Sequence, residues 1–184
     1  TLQPHFPGYS VFCFFAKCIY EVTGSLAYSF SIIGGISTFF IIYFSLLILN
    51  LKINSKQGLF LVLLIIFNPM IWLLGNRYMP DLMGLSMFIA SFYLVLNQEY
   101  KYRFVGFFLS GLMLGVRLSY FPLIIIPVLI GIQRTPDFQK NISLLCFLMG
   151  VFIWLVPTIL ITGLDDFIYV ALSQSAGHFT DYGG

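Results

Sequence analysis

The chain has 184 residues, of which 59% are hydrophobic, 18% aromatic and only 9% charged. A soluble domain carries about a quarter charged residues, so a large water-soluble core is excluded. The net charge is +2 and no basic patch is interleaved with aromatics, which excludes nucleic acid as a partner.

Apolar runs separated by short polar gaps read instead as an all-α, polytopic bundle of transmembrane helices. Residues 3–10, "QPHFPGYS", set two prolines and a glycine around aromatics and form a rigid lead-in. His5 in this lead-in is a candidate substrate contact. Residues 8–22 predict a helix of about 22 Å, too short to span. Lys17 and Glu21 lie one turn apart on it, so it reads as interfacial. Residues 26–51 predict the first span. Residues 58–74 predict the second, kinked at Pro69 and ended at Gly75. Residues 80–96 predict the third, with Pro80 in its first turn.

Residues 104–132 admit two readings. One helix of this length is about 43 Å, long for a hydrocarbon core of about 30 Å. The other is a hairpin of short helices over 104–116 and 119–132, with its tip at "VRLSYFP". Residues 142–162 predict the last span, and a polar tail follows from Gly163. The total is about six membrane helices, two of them short, plus the interfacial one.

Charge favours the hairpin. It puts the loops 50–57, 97–103 and 133–141 on one side, with Lys52, Lys56, Lys101, Arg103, Arg134 and Lys140. By the positive-inside rule that side is cytoplasmic. The other side then holds Glu21, Asp81, Asp165, Asp166 and Asp181, together with both histidines.

The candidate site residues gather on that second side. "GNRYMPD", residues 75–81, packs Arg77, Tyr78 and Asp81 between two apolar runs. Asp81 is favoured at a helix start by the helix dipole, and Arg77 lies four residues before it. Such a pair at the membrane edge can bind phosphate or activate a hydroxyl. Arg117 is the sole charge between Phe104 and Ile132. Its planar fork suits phosphate oxygens, the alternative being a side chain that snorkels to the interface. The tail "SAGHFTDYGG" adds His178, which the neighbouring Asp166 could approach. A divalent cation is an option that no ligand motif supports. Cys13, Cys18 and Cys146 lie in apolar segments and read as small buried residues. No nucleotide loop, nucleophile elbow or zinc-protease motif occurs.

Three stretches, in order, resemble GT-C-fold glycosyltransferases of the protein O-mannosyltransferase and aminoarabinose-transferase type. "PHFPGYSVF" is similar to their "PPGYP" or "PPLY" stretch. "NRYMPDLMGLSMFIASFYLVL" is similar to their R-x-x-x-x-D helix start. "LSGLMLGVRLSYFPLIIIP" resembles their short helix pair with a basic tip, where Arg117 replaces a frequent lysine. The resemblance implies sugar transfer from a polyprenyl-phosphate donor to a lipid, glycan or protein hydroxyl. It implies an integral protein of a bacterial-type plasma membrane, in contact with membrane lipids, working on the non-cytoplasmic face. The main catalytic base is then an acid upstream of Thr1. Asp81 is a secondary acid, and Arg77, Tyr78, Arg117, His5 and His178 are substrate contacts. Residues 1–184 form a single transmembrane region on this reading, a piece of a longer protein whose N- and C-terminal parts lie outside it. A transporter or flippase segment for a lipid-linked or anionic solute is the alternative. That class places charges along a path near the bilayer midplane.

Overall fold

The computed structural model describes residues 9–170 and 172. Among them the chain is all-helical. The elements are α1 (Ser10–Thr23), α2 (Leu26–Ile48), α3 (Lys56–Ile66), α4 (Pro69–Gly75), α5 (Asp81–Val95), α6 (Tyr100–Leu114), a short 3-10 turn (Leu118–Tyr120), α7 (Phe121–Gln133) and α8 (Asp137–Thr162). Residues 164–170 are helical as well.

Helices α2 and α8 are long and apolar enough to cross a membrane, at 23 and 26 residues. The α3–α4 pair makes a third such span if it is counted as one broken helix, bent by 53°. The chain thus has the long apolar helices of a membrane protein, two or three rather than about six. The reason is length: α5, at 15 residues, reaches about 22 Å. The break in α3–α4 falls where a proline has no N–H to donate. Pro69 opens α4, and the Asn68 side chain accepts from the Met70 N–H at 2.9 Å.

The hairpin reading of 104–132 holds. Arg117 adopts extended backbone (φ −158°, ψ 107°) between α6 and the 3-10 turn. The chain then returns: Arg103, at the start of α6, donates to the Arg134 carbonyl beyond α7 at 3.0 Å. α8 runs alongside α6 in the same direction, and the two form the most extensive helix pair. Glycines make this possible. A Cβ on Gly111 would strike the Phe147 carbonyl, and one on Gly150 would strike the Phe108 carbonyl. The Trp154 indole N–H donates to the Gly111 carbonyl at 3.1 Å across the same crossing. Close approach of backbones at small residues is how membrane helices gain contact without a hydrophobic drive between them.

Gly75 does end α4, but not by a left-handed cap, since Asn76 at the C-cap has φ −111°. Its service is steric: a Cβ on Gly34 of α2 would strike the Gly75 carbonyl. Gly35 beside it has open space, so only one of the two glycines is needed for packing. Of the cysteines, Cys13 and Cys146 are half-buried, whereas Cys18 is exposed on α1.

These contacts orient the bundle. Phe30 meets Tyr78, and Phe44 meets Tyr93, so α2 and α5 run the same way. One end of the bundle gathers the starts of α1, α2 and α5 with the hairpin tip. The other gathers the turn after α2, residues 97–99 and residues 134–136.

Candidate functional site

The first of these ends carries the candidate residues. Asp81 occupies the first turn of α5, where exposed N–H groups favour a carboxylate. Below it on the same face, Gly84 lies under the Tyr120 ring, with room for no Cβ, and Phe88 stacks on that ring at 5.8 Å. This i, i+3, i+7 stripe presses α5 against the hairpin tip. It carries Asp81 to Arg117, whose Nη1 donates to Asp81 Oδ1 in an ion pair.

Arg117 is held from a second side. Its Nε donates to Ser119 Oγ at 2.9 Å. Its Nη2 has no hydrogen-bond partner among the described residues. The two side chains remain 33% and 27% exposed.

The sequence paired Asp81 with Arg77, and the structure corrects this. Arg77 is exposed and makes no ion pair among the described residues. It sits in the turn before α5, whereas the Gly84–Phe88 face turns Asp81 toward the hairpin. Ser119, Tyr120 and Gly84 also belong to this site and went unnoticed in the sequence. Their signal was present, as an Arg117–Tyr120 pair at i, i+3 facing Asp81–Gly84 at i, i+3.

Tyr78 closes the rim. Its ring meets Phe12 of α1 at 5.9 Å and Phe30 of α2 at 5.0 Å, both edge-on. Its hydroxyl lies 3.8 Å from Cys13 Sγ. That contact, with partial burial, pushes the phenol above its ordinary range. Tyr78 is therefore a neutral hydroxyl near pH 7, a hydrogen-bond donor rather than a base. The adjoining turn is pinned by Ser31 Oγ, which donates to Asn76 Oδ1 at 3.2 Å.

Helix α1 reaches the same rim. The Val11 N–H donates to the Gly115 carbonyl at 3.2 Å, and Ser10 Oγ lies 2.8 Å from Thr158 Oγ1 of α8. Asp165 and Asp166 follow α8 and are exposed. His5 and His178, like Asp181, lie outside the described residues. Among the described residues no three His, Cys, Asp or Glu side chains come together as metal ligands.

The arrangement offers one charged fork beside a carboxylate, braced by Ser119, while Arg77 and Tyr78 lie in the turn before α5 and make no hydrogen bond to the pair among the described residues. Comparison of the chain with family models, with curated proteins and with solved structures finds no match.

Proposed function

We propose that the chain is the membrane region of a GT-C-type glycosyltransferase. It moves a sugar from a polyprenyl-phosphate donor to a hydroxyl acceptor on the non-cytoplasmic side. On this reading α5, α6 and α7 lie in the same apolar layer as the long spans, giving about six membrane helices. The observation that carries the reading is the Arg117–Asp81 pair, set at the tip of a short helix hairpin. A lipid-linked phosphate presents its headgroup at the depth of such a tip. The long spans α2 and α8 carry no charge along their apolar middles, which speaks against a transport path.

The acceptor oxygen attacks the anomeric carbon, the bond from that carbon to the phosphate oxygen breaks, and polyprenyl phosphate departs with the bonding pair. The acceptor proton passes to a carboxylate. On the resemblance the principal base is another carboxylate, and Asp81 is the secondary acid. Arg117 takes up the charge that develops on the leaving phosphate. Asp81 aims its guanidinium. Arg77 supplies a second cation and Tyr78 a hydroxyl donor.

The test is a transfer assay on the intact protein with a polyprenyl-phosphate sugar. Arg117→Ala and Asp81→Asn each lower transfer by about 100-fold or more, with membrane insertion unchanged. The charge-swapped double variant, Asp81→Arg with Arg117→Asp, restores the ion pair and thermal stability but not transfer. Wild-type rates in both single variants, or recovery of transfer by the swap, sink the assignment.

A further inference from the structure

The end of the bundle remote from this site carries a charge pattern that the proposed chemistry does not use. Lys52 lies in the turn after α2, Lys56 opens α3, Lys101 and Arg103 lie in the first turn of α6, Arg134 caps α7, and Lys140 lies in the first turn of α8. Contacts draw these segments to one level. Phe44 of α2 meets Tyr93 of α5 at 5.8 Å. Arg103 donates to the Asn97 carbonyl at 2.8 Å, to the Arg134 carbonyl at 3.0 Å and to Thr135 Oγ1 at 3.1 Å.

Against these six cations stand two carboxylates, Glu99 and Asp137, a surplus of four. The whole chain carries only +2, so the remainder has two more acids than bases. Arg103 is buried, Lys101 pairs with Glu99 at 3.0 Å and Lys140 pairs with Asp137 at 2.6 Å. Lys52, Lys56 and Arg134 are exposed and have no ion pair among the described residues. Tyr100, Tyr102 and Phe138 are exposed at the same level. Both long apolar helices have an end here, α2 its last turn and α8 its first. Exposed cations and aromatics together, at the ends of two long apolar helices, match the chemistry of a negatively charged headgroup layer.

We propose that this end is a docking surface for anionic phospholipid headgroups, whose phosphates meet Lys52, Lys56 and Arg134. The proposal stands independently of sugar transfer. The purified chain in neutral detergent is titrated with phosphatidylglycerol or phosphatidylcholine, and bound lipid is read by native mass spectrometry. Each such cation strengthens anionic-lipid binding roughly five-fold at low salt, so phosphatidylglycerol is retained at least about ten-fold better. The triple variant Lys52→Gln, Lys56→Gln, Arg134→Gln loses that preference. If the triple variant lacks helical circular dichroism, Lys52→Gln alone, in an exposed turn, lowers the preference roughly five-fold. Lys17→Gln, on α1 at the opposite end, leaves it unchanged. Equal retention of the two lipids by the wild type, or an undiminished preference in the triple variant, overturns the proposal. So does loss of preference in Lys17→Gln alone, which moves the lipid to the other end. Displacement of phosphatidylglycerol by millimolar inorganic phosphate points to a free-anion site and overturns the lipid assignment.

Discussion

Two arginines of one hairpin end in different surroundings. Arg117, at the tip, faces a carboxylate, and its Nη2 has no hydrogen-bond partner among the described residues. Arg103, at the base, is 8% exposed and has no carboxylate partner among the described residues; it spends its fork on the carbonyls of Asn97, Gln98 and Arg134 and on the Thr135 hydroxyl. Those carbonyls follow the C-terminal ends of α5 and α7, where unsatisfied oxygens and the helix dipoles both favour a cation. The charge pattern puts Arg103 in a loop on the side it makes cytoplasmic, and the fold turns it inward there as an internal staple. Its planar fork reaches two loops at once, and a lysine's single ammonium cannot. Arg103→Ala therefore lowers stability by about 2–4 kcal/mol and Arg103→Lys by roughly half of that. Thermal unfolding in detergent, followed by circular dichroism, orders the three proteins. A lysine variant as stable as the wild type removes the staple.

At the scale of helices, the crossing of α6 and α8 decides how closely the bundle packs. Gly111 and Gly150 meet backbone to backbone, and Gly115 lies against the Trp154 ring. Gly150→Ala must push α8 off the Phe108 carbonyl and costs about 1–3 kcal/mol. Gly35→Ala is the matched control, because nothing lies within 4 Å of the added carbon. Replacing a helical glycine by alanine there is neutral or stabilising by up to about 1 kcal/mol. The two melting curves move in opposite directions if packing, not glycine content, sets stability. Helix α1 belongs to this scale too. It buries Val11, Phe12 and Ala16 against the bundle while Phe14, Phe15 and Val22 face outward. That outward face suits the boundary between headgroups and acyl chains.

Over the whole molecule, opposite ends carry opposite charge. Among the described residues the end with the Arg117–Asp81 pair is acidic in balance, and the end stapled by Arg103 is basic. Two natural and engineered thiols report the resulting orientation. Cys18 is exposed on α1 at the acidic end, and Lys52→Cys places a thiol at the basic end. In sealed cells, with Cys13 and Cys146 replaced by serine, an impermeant maleimide labels Cys18 directly. It labels the thiol of Lys52→Cys only after permeabilisation, as the positive-inside rule requires. Labelling of both from one side rules out the proposed placement of the site.

Helix positions were legible in the sequence because their causes are local. The break at Pro69 follows from a missing N–H and the end of α8 from Gly163 at φ 83°, whereas the hairpin is readable only from the basic balance of three separate loops. Boundaries shifted where polar first turns join a helix, as at Asp137, five residues before the predicted start of the last span. The presence of Asp81 and Arg117 as rim residues was equally readable, since charges are rare in this chain. Only the tertiary structure decided that they meet, across 36 positions, while Arg77 stands apart. Sequence distance favoured Arg77, but a side chain's partner is set by the face its helix buries. Gly84 and Phe88 bury theirs against Tyr120, and Asp81 is carried to Arg117 with them.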